Sequence, residues 1–289
     1  MQMVVIGASG QLGTDLMRVL PTAIPVTHAD LELTDAEQVA RRLDELRPDL
    51  VLNTAAYNLV DKAETEPEKA YAINAEAPAI LAQWCQRNQA TLLHVSTDYV
   101  FGGETGRRSP YLESDTPAPL GVYGSSKLAG ENHVREICDR HFVIRTCGLY
   151  GQAATRSKGN FVKTILRLAD ERPELRVVND QFCTPTYTFD VAQGIAALIR
   201  TQEFGTYHLT NHGATTWFEV AREAVKQSGR TTVVHPIPSS EYPTPAKRPA
   251  YSVLDCTKIQ SVTGQIIPHW QDALNRYLRE LSDPASRVR

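Results

Sequence analysis

No stretch of this 289-residue chain approaches the ~20 consecutive apolar residues that a membrane span needs. The start, Met1-Gln2-Met3, runs into a short apolar strand with no basic segment ahead of it, so a targeting peptide is not expected. An excess of either charge is lacking too: 30 Lys and Arg against 33 Asp and Glu leave a formal net charge of −3. Such a chain sets up no overall positive field to draw phosphates, which argues against a nucleic-acid partner or a membrane surface. Cysteine is scarce and unpatterned. Cys85, Cys138, Cys147, Cys183 and Cys256 are an odd number with no CxxC pair, which fits reduced thiols better than a disulfide framework or a zinc knuckle. With no internal repeat or low-complexity run, the expectation is a cytoplasmic globular protein.

What is present is alternation. Apolar runs at 3–6, 49–52, 91–95 and 142–145 read as buried strands, and segments 11–20, 36–46 and 75–89 have helical spacing. Short apolar strands alternating with helices argue for a parallel sheet covered on both faces. Past residue 150 the texture changes: 151–160 is a polar loop, 236–249 holds five prolines, and helix-like segments at 161–171 and 217–228 sit among short strands. This divides the chain into residues 1–150 and a substrate lobe over 151–289, with 189–201 packing back on the first part.

Gly7-Ala8-Ser9-Gly10-Gln11-Leu12-Gly13 is GxxGxxG between the first strand and the first helix. Glycine permits a tight turn, close backbone approach to a pyrophosphate and close helix-on-sheet packing, while the helix's free N–H groups face the anion. The loop therefore predicts a bound dinucleotide. The second strand ends at His28, with Asp30 and Glu32 the nearest acids and no arginine beside them. The reading leans to NADPH, with NADH also admitted. Tyr123-Gly124-Ser125-Ser126-Lys127 is YxxxK at the head of a helix, so both side chains share one face. A phenol with a pKa near ~10 exchanges protons poorly at neutral pH, and a nearby ammonium is expected to lower that pKa and make Tyr123 a usable acid. Ser96-Thr97-Asp98-Tyr99 ends a buried strand, the end at which open parallel sheets bind ligands.

These motifs, with the runs 53–64, 122–131, 178–181 and 247–252 and with Tyr207–Leu209 ahead of Thr215-Thr216-Trp217, resemble the extended short-chain dehydrogenase/reductase family along nearly the whole chain. The resemblance implies a Rossmann-type doubly wound parallel α/β sheet with a smaller C-terminal α/β substrate lobe. It implies NADPH-dependent reduction of the 4-keto group of a nucleotide-linked 6-deoxysugar, dTDP-4-dehydro-L-rhamnose becoming dTDP-L-rhamnose. Catalysis would fall to Tyr123 as acid, Lys127 as its tuner and Thr97 on the carbonyl oxygen. Gly7, Ser9, Gly10, Gln11, Leu12 and Gly13 would hold the pyrophosphate. Glu32 and Leu33 would flank the adenine, and Ala55, Ala56, Tyr57 and Asn58 would line the cofactor together with Tyr123 and Lys127. Thr97, Asp98, Tyr99, Gly148 and Arg248 would meet the substrate. Relatives that eliminate water carry Asp-Glu after the threonine; here Asp98 is followed by Tyr99, which favours a plain reduction.

Two positions depart from the family pattern. Gly148 stands where the family places a tryptophan on the sugar, a loss expected to open the pocket, and Asn58 replaces a threonine. Some members bind Mg²⁺ at a dimer contact, and Asp15 matches one acidic position, but it reads as a solvated helix carboxylate and no metal site is assigned. A homodimer is the assembly considered. His208 and His212 read as packing or surface residues, Cys147 as a small core side chain, Trp84 and Trp217 as packing residues. The rival functions are a non-catalytic dinucleotide-binding regulatory subunit and a reductase or epimerase of a different nucleotide ketosugar.

Overall fold

The computed structural model describes residues 1–153 and 159–283; the middle of the expected 151–160 loop and the last six residues lie outside them. Strand β1 (Met3–Ile6) leads into α1 (Gln11–Val19), followed by β2 (Ile24–Val26), α2 (Ala36–Leu46) and β3 (Leu50–Asn53). Short helices α3 (Val60–Ala63) and α4 (Pro67–Tyr71) pass through a π-helical turn at Ala72–Glu76 into α5 (Ala77–Asn88). Then come β4 (Thr91–Thr97), α6 (Val122–Ile137) and β5 (His141–Thr146). Local chemistry sets these bounds. On α2 the Asp35 side chain accepts the Gln38 N–H at 2.9 Å and caps the start, and Arg47 in the left-handed region ends it.

The second half holds α7 (Phe161–Glu171), β6 (Glu174–Val178), β7 (Phe182–Cys183), α8 (Thr188–Leu198) and β8 (Gly205–His208). It continues with β9 (Thr215–Thr216), α9 (Trp217–Gln227), β10 (Val233–Ile237), α10 (Thr257–Thr263) and α11 (Trp270–Ser282). Six parallel strands form one sheet in the order β2-β1-β3-β4-β5-β8. The chain leaves β1 on one side for β2 and returns on the other for β3, so the C-terminal ends of β1 and β3 border a crevice where the winding reverses.

Both faces are covered, as a parallel sheet of apolar strands requires. Val5 of β1 faces Leu12, Leu16, Val191 and Ile195 of α1 and α8; its neighbours Val4 and Ile6 face the side of Val39, Leu43, Leu81 and Val134 from α2, α5 and α6. Sequence reading left 205–208 in the second lobe, whereas β8 is the sixth strand of the main sheet, paired with β5. Gly205-Thr206-Tyr207-His208 carries too little apolar pattern to announce that role. Helix α10 packs with α8 on the main sheet, and the other elements of this half gather around α7, α9 and α11, with β6 beside β10 and β7 beside β9. Among the described residues, no helix is long and apolar enough to cross a membrane.

Candidate active site

Three strand ends build the site. After β1, Gly7 adopts φ +79° and its N–H reaches the Val26 carbonyl at 2.9 Å, turning the chain sharply into α1. A Cβ on Gly7 would stand 2.7 Å from Thr54 Oγ1, so the loops after β1 and β3 are nested together. A Cβ on Gly13 would overlap the Gly7 carbonyl oxygen and Ala8, so α1 can approach the loop only as glycine. Gly10 caps α1 without any side-chain hydrogen bond, leaving the first-turn N–H groups for an anion. A dinucleotide pyrophosphate fits this cradle.

The neighbouring residues have divided roles. Leu12 is buried in the core and offers only its backbone. The Gln11 side chain is spent elsewhere: its Oε1 accepts the Gly151 N–H at 2.8 Å and Asn160 Nδ2 at 2.9 Å, tying α1 to the loop before α7. Glu32 is exposed and accepts both the N–H and the hydroxyl of Thr34, which hold its carboxyl below the usual range. Leu33 is buried, Ala56 and Asn58 are exposed, and the Tyr57 phenol donates to Glu66 at 2.7 Å.

Helix α6 begins beside these loops, its Val122 N–H donating to Glu64 Oε1 at 2.8 Å. It approaches so closely that a Cβ on Gly124 would overlap the Tyr99 carbonyl oxygen. Tyr123 on the first turn lies beside Thr97, whose side chain acts to lower the phenol's pKa, and stands edge-on to the Tyr99 ring, 5.8 Å between centroids. Lys127, one turn on, is buried, with Nζ 2.7 Å from the Val95 carbonyl oxygen and 3.4 Å from His94 Nε2. Burial pushes the Tyr123 phenol up to about 12, an effect Thr97 only partly offsets, and draws Lys127 down to about 8 against the pull of Glu131. The expected lowering of the tyrosine by its lysine is therefore corrected: burial sets the direction, and the groups acting on the phenol are Thr97, Asp98 and Cys147 rather than Lys127.

Asp98 does not present a free carboxylate. Its Oδ2 accepts the Ser252 hydroxyl at 2.6 Å and its Oδ1 the Thr97 hydroxyl at 3.2 Å, and burial raises it to about 6. Arg248 is held by Asp61 through its two terminal guanidinium nitrogens, at 3.1 and 2.9 Å. Gly148 has φ +49°, and a Cβ there would come 2.9 Å from Trp217 Cη2 and 3.2 Å from Pro185 Cα. The hole expected at Gly148 is thus corrected: the Trp217 indole, packed on Phe161 at 4.6 Å, stands at that spot. Cys147 lies within hydrogen-bonding reach of Cys183 and Asp98, contacts that with burial keep it a thiol.

Asp15 is likewise corrected. It is 1% exposed, its Oδ1 accepting from Arg18 at 2.7 Å and its Oδ2 from Thr188 at 2.5 Å. A guanidinium on that carboxylate does not suit a divalent cation. His208 is buried, with Nδ1 3.0 Å from the Tyr111 carbonyl oxygen, while His212 is exposed. A cavity of about 260 Å³ between α8 and α10, lined by Asp190, Gly194, Thr210 and Ile259, shares no residue with the Tyr123 site.

Sequence reading missed His94, Asn53, Ser252 and Cys183 as neighbours of the site. His94 was signalled as a lone histidine inside an apolar strand, and Asn53 and Ser252 lay in the runs 53–64 and 247–252 with no role attached to them. Ser252 and Cys183 meet the site from distant segments.

The family model of the RmlD substrate binding domain matches residues 1–283. The chain is 39% identical to the dTDP-4-dehydrorhamnose reductase of Escherichia coli strain K12 over 300 residues, covering 97% of this chain and 98% of that protein. Among solved structures it resembles a dTDP-4-dehydrorhamnose reductase from Clostridium acetobutylicum, with TM-score 0.93, 36% identity and coverage of 98% of this chain and 100% of that one. It also resembles the Bacillus anthracis enzyme of that name in complex with NADP, with TM-score 0.91, 37% identity and coverage of 96% and 99%.

Proposed function

The chain belongs to the RmlD substrate binding domain family, and from that premise we propose that it uses NADPH to reduce the 4-keto group of a nucleotide-linked 6-deoxysugar, dTDP-4-dehydro-L-rhamnose becoming dTDP-L-rhamnose. The observation that carries this reading is the Tyr123 phenol set beside Thr97 at the end of β4, with Lys127 one turn along the same helix reaching the Val95 carbonyl of that strand. The glycine loop and the α1 N-terminus at the winding reversal support the cofactor assignment.

NADPH bound in that cradle supplies the hydride. The backbone N–H groups of the loop from Gly7 through Gly13 hold the pyrophosphate, Glu32 and Leu33 flank the adenine, and Ala55, Ala56, Tyr57 and Asn58 line the cofactor. Thr97 orients the carbonyl oxygen, and Tyr123 gives its proton to the alkoxide as it forms. Lys127 holds the ribose and returns a proton to Tyr123. Asp98, in its Ser252 and Thr97 bonds, fixes the floor beside Tyr99, and Gly148 with the Trp217 ring borders the sugar. Arg248 meets the diphosphate by exchanging its bond to Asp61. Residues 1–150, with the returning segment 189–201 and β8, carry the cofactor and the end of β4 that meets the sugar, and the remainder forms the substrate lobe. Cytoplasmic placement accords with five free thiols, and a homodimer is the assembly to test by light scattering.

Enzyme mixed with NADPH and dTDP-6-deoxy-L-lyxo-4-hexulose is expected to consume the nicotinamide absorbance and yield dTDP-L-rhamnose by mass and NMR. Tyr123→Phe is expected to lower kcat by about 10²–10⁴-fold while still binding NADPH. A fully active Tyr123→Phe enzyme would overturn the mechanism, and turnover without net NADPH loss would point to an epimerase instead.

A further inference from the structure

Beneath Lys127 lies a buried chain of polar groups that the reaction as described does not use. Asn53 Oδ1 accepts the Ala55 N–H at 3.1 Å. A backbone N–H can only donate, so the carbonyl end of the Asn53 amide faces Ala55 and its NH₂ end faces His94 Nδ1, at 3.1 Å. Two donors cannot share that contact, so Nδ1 carries no proton. His94 is fully buried, and burial together with the neighbouring lysine keeps its pKa far below the ordinary histidine value. The neutral ring therefore carries its proton on Nε2, which points at Lys127 Nζ.

We propose that His94 is a positioning residue whose Nε2–H is aimed at the Lys127 nitrogen, so that Lys127 releases a proton readily to Tyr123 and its exposed lone pair is then covered. An ammonium has no lone pair to receive Nε2–H and meets it donor to donor; the amine accepts it while still donating to the Val95 carbonyl. The proton ledger is complete. Tyr123 gives its proton to the alkoxide, the Lys127 ammonium returns one to the phenolate through intervening solvent, and Lys127 regains one from solvent after product leaves. This deepens the proposed reduction and rests on it.

The other charged groups around Lys127 do not cancel the effect. Glu131, one turn along α6, favours the ammonium, but its carboxylate is engaged by Ser96 at 2.6 Å and by Arg145 of β5 at 2.7 and 3.0 Å. Tyr123 on α6 is turned to Thr97, and Asp98 beyond the end of β4 to Ser252.

Two measurements test the assignment. Nitrogen-15 NMR of histidine-labelled enzyme is expected to show His94 protonated at Nε2 and bare at Nδ1; an Nδ1–H signal overturns the proposal, and this experiment needs no variant. Fluorescence titration of NADPH against pH is expected to show affinity falling as Lys127 loses its proton. In His94→Phe the midpoint of that fall should move up by about one pH unit or more, because the amine loses its donor. His94→Gln, whose amide can receive from Asn53 and donate to Lys127, should keep the original midpoint. Weaker binding in His94→Phe at every pH with an unmoved midpoint means a structural role only and overturns the proposal. If the tautomer and the shift are found but the ketosugar is not reduced, the proposed substrate fails and His94 stands; reduction with the opposite tautomer fails His94 alone.

Discussion

At the scale of single residues, burial sets the chemistry of this site more than pairwise charge does. Tyr123, Lys127, His94 and Asp98 are all shifted toward their neutral forms with desolvation as the leading cause. For Asp98 this has a consequence for stability. Its folded pKa, about 6, lies above the usual carboxylate value, so the folded chain holds a proton there that the unfolded chain releases. That contribution is fully present below the unfolded pKa and is lost as pH rises through about 4 to 6. Asp98→Asn should therefore gain stability relative to the parent as pH rises across that window, by roughly 3 kcal/mol at most. Urea denaturation of both proteins at pH 4 and pH 7 measures it. A parent-to-variant difference that does not change with pH would mean that Asp98 keeps an ordinary carboxylate pKa in the fold.

At the scale of elements, the cofactor cradle depends on how closely α1 meets the loop ahead of it. Helix and loop touch through Gly13, where any Cβ would overlap backbone atoms that have no rotamer to move. Gly13→Ala should push α1 outward, costing about 1–3 kcal/mol in denaturant unfolding. NADPH affinity should weaken at least tenfold, since the pyrophosphate is held by N–H groups whose positions the helix fixes. Tight NADPH binding in this variant would show that the helix N-terminus is not the anion site. Helix α6 shows the same constraint from the other side. Gly124 against Tyr99 and Gly130 against Asn74 of the π-helical turn let it lie close enough for Lys127 and Glu131 to reach β4.

At the scale of the whole molecule, side chains far apart in the chain close the site. Arg248 and Asp61 are 187 residues apart and form a bidentate pair at the rim. If Arg248 meets the substrate diphosphate, it must first leave Asp61. Arg248→Ala should raise the sugar-nucleotide KM by about tenfold or more, and Asp61→Asn, which weakens the competing bond, should lower it. Steady-state kinetics at saturating NADPH checks both, and an unchanged KM in Arg248→Ala would remove the residue from the substrate site.

Much of this protein is local and was legible for that reason. GxxGxxG between a strand and a helix, YxxxK on one helical turn and the alternation of apolar strands with helices each involve residues a few positions apart. Their geometry follows from backbone periodicity, and with the wider set of motifs they were enough for the family, the sheet and the cofactor loop. What the tertiary structure alone decided is which distant groups meet in the same dry space. Ser252 reaches Asp98 across 154 residues, Trp217 stands against Gly148, and His94 lies under Lys127 because α6 crosses β4 where it does. Those meetings, and the protonation states that burial imposes on them, depend on packing between elements, for which a linear pattern carries no period.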